Sequence, residues 1–155
     1  MRLYLVRHGE ALPKEADGER RLSANGEGEV RRLAAFLKPK AIVVGEIWHS
    51  GKARARQTAE GLSRGVQAED GVLQHDELDP LDDPRSVRGE VARSERDVLI
   101  VGHMPFLSRL GSSLLSGDDS ADFLALRTAG AACLEREEER RWHLLWQFSP
   151  ALLGP

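Results

Sequence analysis

Between Leu3 and Ala11 the chain reads Leu-Tyr-Leu-Val-Arg-His-Gly-Glu-Ala, and no other stretch restricts the possible folds so tightly. Leu3-Tyr4-Leu5-Val6 is short, β-prone and free of polar interruption, the pattern of a strand buried on both faces. Such a strand belongs inside a sheet that helices cover on either side. It stops abruptly at Arg7-His8-Gly9-Glu10. In an open α/β sheet, ligands gather at the carboxyl ends of the strands. At that point an arginine offers a planar fork for anions, a histidine a nucleophile or acid/base, and a glycine a backbone free to turn tightly.

The rest of the chain alternates in the way such a sheet requires. A polar segment, Leu12 to Arg21, reads as a loop over the carboxyl edge. Ser23 is a helix cap, and Val30, Leu33, Ala34 and Leu37 repeat at helical spacing until Pro39. Gly26 and Gly28 weaken the first turns of that helix. Ala41 to His49 is predicted as the second strand, with Gly45 marking a bend or a close contact. A helix from about Lys52 to Ser63 follows, with Ala55, Ala59 and Leu62 inward and Arg54 in its first turn; Gly65 marks the exit. Gly71 to His75 is a short third strand, and Pro84 opens a helix to about Ser94. Asp97-Val98-Leu99-Ile100-Val101 is a second apolar strand, ending at Gly102-His103-Met104-Pro105. Leu107, Leu110, Gly111 and Leu114 then mark another helix. Thr128 to Arg136 and Arg141 to Phe148 read as an antiparallel pair, with the charged run Glu135 to Arg141 as a solvated hairpin turn. Trp142, Leu144, Trp146 and Phe148 follow period-two spacing, so the tryptophans pack on the sheet and do not form a stacking platform for bases. Alternation closed by a hairpin predicts a three-layer α/β/α fold with a mainly parallel central sheet and a C-terminal antiparallel hairpin. With 155 residues, no internal repeat and no linker, residues 1–155 read as one domain.

In a parallel sheet the ends of three strands deliver Arg7, His8, Arg54 and His103 to one edge. The chain has a formal net charge of -3, so nothing general draws it to nucleic acid or an anionic membrane, and an anion site must be a local cluster. Two arginines and two histidines suit a phosphoryl group, and the amides opening the Lys52 helix add a positive dipole end. There are no grouped carboxylates for two metals and no Gly-rich loop with Lys and Ser/Thr. The only cysteine, Cys133, lies in the apolar run Ala131-Ala132-Cys133-Leu134 as a core residue far from this edge. Histidine remains as the nucleophile, with no metal and no cofactor. A single cysteine, no signal-peptide pattern and no long apolar stretch give a cytoplasmic expectation.

The chain resembles the histidine phosphatase superfamily, with its phosphoglycerate-mutase-like fold, and within it the small SixA-type phosphohistidine phosphatases. The matching pieces are Arg7-His8-Gly9-Glu10, Arg21-Leu22-Ser23, the run from Ser50 to Thr58, Glu77-Leu78-Asp79-Pro80, Gly102-His103-Met104-Pro105 and Trp146-Gln147-Phe148-Ser149-Pro150. The resemblance implies that His8 attacks phosphorus, its other ring nitrogen held by a backbone carbonyl, and that water cleaves the phosphoenzyme. Arg7, Arg54 and His103 bind the phosphoryl oxygens, with His103 protonated when phosphate is bound; Gly9 and Arg21 complete the substrate-binding set. Arg54 is preferred over Arg56, which a helix points elsewhere, and Arg20 competes with Arg21 for the rim. Glu77 is the first candidate general acid and Asp79 the second; the alternative is that both only solvate a loop. His49, His75 and His143 are given structural roles. Ser50-Gly51 stands where the family often has Ser-Pro, a change expected to loosen the turn and remove no chemistry. No long insertion supplies the lid of the larger mutases. The implied substrate is phosphohistidine on a protein, such as a phosphorelay domain; the alternatives are a small phosphoester and, outside catalysis, a phosphate-binding module.

Overall fold

The computed structural model describes residues 1–138 and 141–154. Its elements, in chain order, are β1 (Arg2–Arg7), α1 (Ala24–Leu37), β2 (Val43–Val44), β3 (Glu46–His49), α2 (Ala53–Leu62), β4 (Gln67–Ala68), β5 (Val72–Gln74), α3 (Pro84–Arg93), β6 (Val98–Gly102), α4 (Phe106–Ser116), β7 (Ala131–Arg136) and β8 (Trp142–Phe148). Short 3-10 turns occupy Lys38–Lys40 and Pro150–Leu153. The main sheet has the order β5-β3-β6-β1-β7-β8. Its first four strands are parallel, whereas β7 runs antiparallel to both β1 and β8.

The strict alternation of β1 explains the layers. Leu3 and Leu5 point into one core, with Val87 and Val91 of α3 and Leu107 and Leu110 of α4. Tyr4 and Val6 point into the other, with Leu33 and Leu37 of α1 and Ala55, Ala59 and Leu62 of α2. All of these side chains are nearly or completely buried. The fold is thus the three-layer α/β/α arrangement expected from the alternation. Ser23 caps α1 by accepting from the Gly26 amide at 3.0 Å, and Pro84 opens α3 behind the Asp83 cap. Cys133 lies in the second core, where burial pushes its thiol up to about 12. No helix among the described residues is long and apolar enough to cross a membrane.

Two elements differ from the sequence reading. The strand expected over Ala41 to His49 is two strands: β2 pairs with β4 in a separate small sheet, and β3 joins the main one. The break falls at Gly45, whose amide donates to Asp97 O at 2.8 Å. A Cβ there would meet the Arg96 guanidinium at 3.0 Å. β8 is also more complex than an alternating strand. Cys133 faces Trp146 but Leu134 faces Leu144, so Leu145 is an extra residue. This bulge switches the faces: Trp142 packs in the α3/α4 core, Trp146 against Tyr4 on the other side, and Leu144 and Leu145 are exposed. Of the turn expected over Glu135 to Arg141, residues 139 and 140 lie outside the described residues.

Candidate active site

The register of the sheet sets the site. Arg7 on β1 lies opposite Gly102 on β6, so the next residues, His8 and His103, leave adjacent strand ends together. Their ring centroids are 5.0 Å apart. The His8 amide donates to Gly102 O at 3.1 Å, and His8 O accepts from the Ala129 amide at 3.1 Å, so the nucleophile candidate is held on both sides of its backbone.

The state of His8 follows from its contacts. Nδ1 lies 2.7 Å from Gly9 O. A carbonyl can only accept, so Nδ1 carries the proton and Nε2 keeps a free lone pair. Burial, reinforced by the charges of Arg54, Arg7 and Arg20, lowers the His8 pKa to about 4, so the ring is neutral near pH 7. His103 is 2% exposed; burial first, and then His8 and the nearby cations, lower its pKa to about 3. Its Nε2 shares a 2.6 Å hydrogen bond with Ser50 Oγ, at the end of β3.

Arg7 and Arg54 complete the cluster. The Arg7 guanidinium donates to Leu126 O at 3.0 Å. Its pKa is lowered by burial and by Arg127, with only Glu29 opposing. That of Arg54 is lowered by burial and by Arg20, with only Asp79 opposing. The buried Nε of each arginine and Nδ1 of His103 find no partner among the described protein groups. Positive charge is crowded here beyond what nearby carboxylates offset, which is the electrostatics of a pocket for an anion. Arg54 lies in the first turn of α2, whose Lys52 cap makes no side-chain hydrogen bond, leaving the dipole end open. Among the described residues no group of three His, Cys, Asp or Glu side chains could hold a metal ion.

The remaining candidates separate. Arg56 is exposed and pairs with Glu60, away from the cluster. Arg21 is exposed and its guanidinium pairs with Asp17 at 3.1 Å, pointing away from the cluster in this structure. Arg20 turns inward instead. Its backbone has φ 52° and its Nε donates to Leu12 O at 3.1 Å, and its charge bears on both His8 and Arg54. The two adjacent arginines thus differ in direction, with Arg20 in the left-handed backbone region. Glu77 is exposed, with φ 62°. Asp79 is nearer in effect: it pairs with Lys52 at 3.5 Å and its charge acts on Arg54.

His49 accepts from the Gly51 amide at 3.0 Å. Gly51 has φ 86°, and proline could neither adopt that angle nor donate that bond. At this departure from Ser-Pro, Gly51 is tied to His49 by a hydrogen bond that proline could not make. His75 stacks on Trp48 and bonds Glu90 at 2.8 Å, a structural place. His143 faces Glu137 at 3.4 Å on the surface.

The sequence reading gave no role to Thr58, Glu29 or Ser50 individually. Glu29 accepts from the Glu10 amide at 2.9 Å and from Thr128 at 3.0 Å, tying α1 to the loop after His8. The spacing Arg54-x-x-x-Thr58 was the available signal for Thr58, since residues four apart share a helix face. Glu29 and Thr128 are 99 positions apart, and no local pattern connects them.

Comparison with known proteins gives three findings. Residues 3–81 match the family model of the histidine phosphatase superfamily (branch 1). The chain is 27% identical over 158 residues to phosphohistidine phosphatase SixA of Escherichia coli strain K12, covering 99% of this chain and 96% of that protein. Its fold is similar to the protein histidine phosphatase SixA complexed with tungstate, with a TM-score of 0.86, 26% identity and coverage of 99% and 100%. A mycobacterial glucosyl-3-phosphoglycerate phosphatase, 20% identical, shares the fold, with a TM-score of 0.73 over 96% of this chain and 99% of that one.

Proposed function

Because the chain belongs to branch 1 of the histidine phosphatase superfamily, we propose that it hydrolyses phosphohistidine on a protein through a phosphoenzyme formed at His8. The observation that carries this reading is the Nδ1 contact to Gly9 O, which leaves Nε2 of a neutral His8 free to attack. Nε2 donates its electron pair to phosphorus, and the P–N bond to the substrate imidazole breaks with its pair returning to that ring. Protonated on its other nitrogen, the leaving imidazole departs neutral. Water then attacks phosphorus on His8, its two hydrogens leave with dihydrogen phosphate, and His8 recovers its lone pair. Arg7, Arg54 and His103 neutralise the phosphoryl oxygens in both steps. The dianion counters the burial and the repulsion that together hold His103 neutral, so His103 takes up a proton as phosphate binds.

The state of the two candidate acids supports this substrate class. An alkoxide leaving from an ester needs a proton; of the two candidate acids Glu77 is exposed and Asp79 is paired with Lys52 at 3.5 Å. A protonated imidazole needs none. The E. coli relative is named a phosphohistidine phosphatase, which supports the same choice.

The test is to incubate the purified chain with a protein carrying labelled phosphohistidine, quench with denaturant at alkaline pH, and locate the label. Label on His8, lost in His8→Ala together with turnover, is the expected result. Label elsewhere, full turnover in His8→Ala, or a much higher kcat/KM for sugar phosphates and nucleotides than for the phosphoprotein would each overturn the reading.

A further inference from the structure

Thr58 is fully buried on α2, one turn after Arg54, and the mechanism above leaves it idle. Its Oγ1 accepts from the Gly9 amide at 3.0 Å and donates to Arg54 O at 2.7 Å. Gly9 is the residue whose carbonyl receives the proton on Nδ1 of His8. One hydroxyl therefore joins the loop that fixes the tautomer of the nucleophile to the helix turn that carries the phosphate-binding arginine.

Neither end of this link has slack. Gly9 packs so closely that a Cβ would lie 2.9 Å from Gly26 O and 3.1 Å from the Val30 side chain. The back-bond from a threonine hydroxyl to the carbonyl four residues earlier fixes its rotamer, which aims the oxygen lone pair outward at Gly9. If the hydroxyl is removed, the Gly9 amide is a buried donor without an acceptor and turns to find one. The Gly9 amide shares its peptide plane with His8 O, which the Ala129 amide holds, so the adjustment falls on the torsions about Gly9 Cα. Those torsions re-aim Gly9 O, and Nδ1 of His8 loses the acceptor that keeps the proton off Nε2.

We propose that Thr58 is a positioning residue for the covalent step, its hydroxyl holding Gly9 so that Nε2 of His8 presents a lone pair in register with Arg54. The inference rests on the reading of His8 as the nucleophile, and its test separates the two. Thr58→Val keeps the shape and removes the hydroxyl; Thr58→Ser keeps the hydroxyl. The first readout is the tautomer of His8, from long-range proton–nitrogen NMR of the imidazole in 15N-labelled protein. The second is kcat and KM for a histidine-phosphorylated peptide.

The Nδ1–H form is expected alone in the unsubstituted protein and in Thr58→Ser, and mixed with the Nε2–H form in Thr58→Val. For Thr58→Val, kcat is expected to fall by roughly tenfold to a hundredfold, the range for a displaced reacting group, with a smaller change in KM. Thr58→Ser is expected to stay within about threefold on the same scale. An unchanged tautomer and kcat in Thr58→Val overturn the proposal, as does a Thr58→Ser as impaired as Thr58→Val. Should Thr58→Val not fold, Thr58→Ala is read in its place against Thr58→Ser. If the unsubstituted protein does not hydrolyse the peptide, the functional reading fails, and the tautomer measurement still decides the role of Thr58.

Discussion

Two buried neutral histidines side by side make this fold sensitive to mild acid, by an amount that can be worked out. An unfolded histidine titrates near 6.5, whereas His8 titrates at about 4 and His103 at about 3. Between these values the unfolded chain binds protons that the native one refuses, so stability rises with pH across the window. The stabilisation is complete above the unfolded pKa and is lost as pH falls toward the folded ones. Integrated from about pH 7.5 to about pH 5, the loss is about 2 kcal/mol for each ring. The perturbation is His103→Asn, which retains a polar partner for Ser50. Urea unfolding of both proteins at the two pH values is the assay. Carboxylates and the other histidines titrate in both, so the difference between the two pH-dependent losses isolates His103. The native chain should lose about 2 kcal/mol more than His103→Asn over this interval, about a 1 M shift in the urea midpoint. Equal losses in the two proteins would refute the assignment of a buried, proton-refusing imidazole at position 103.

The other predictions concern neighbouring residues. Arg20→Ala should lower kcat/KM for a histidine-phosphorylated protein by roughly threefold to tenfold through weaker anion binding, and Arg21→Ala should leave it within about twofold; steady-state kinetics of the two variants distinguish the inward from the outward arginine. Glu77→Gln should change kcat by less than about twofold in steady-state kinetics, because no acid is required of it; a large loss of kcat would restore it as the general acid. Gly51→Pro should destabilise by about 3 kcal/mol or more, measured by denaturant unfolding, since it removes a donor to His49 and cannot hold φ 86°. Gly26→Ala should also destabilise, by about 1–3 kcal/mol, because the new methyl would sit 2.0 Å from Glu10 O.

The parts of this molecule legible in the sequence are those governed by local periodicity. Leu3 to Val6 and Val98 to Val101 gave the parallel core, and parallel strands place their carboxyl ends on one edge, so the meeting of His8 and His103 followed without coordinates. What periodicity misses is a backbone event of one residue. The bulge at Leu145 reverses the faces of β8, and the bend at Gly45 divides one apolar run between two sheets. The left-handed backbone at Arg20 is of the same kind: neither arginine of the pair carries a side-chain signal, and the choice is made by the turn between Leu12 and Leu22. Gly26 was read as a weak spot in a helix, yet its lack of a side chain is what lets α1 press against the loop of the nucleophile.

The strand that carries His8 is laced to β6 on one side and to β7 on the other, and both of its faces are sealed by helices. A floor built this way has no hinge. Motions that would displace the backbone of this strand are those that dissolve the whole sheet, and they are correspondingly rare. Any accommodation of differently shaped substrates must then come from the coverings above the floor, within residues 10–22 and 117–128, around the fixed contacts that Gly9, Leu126 and Ala129 make with the cluster.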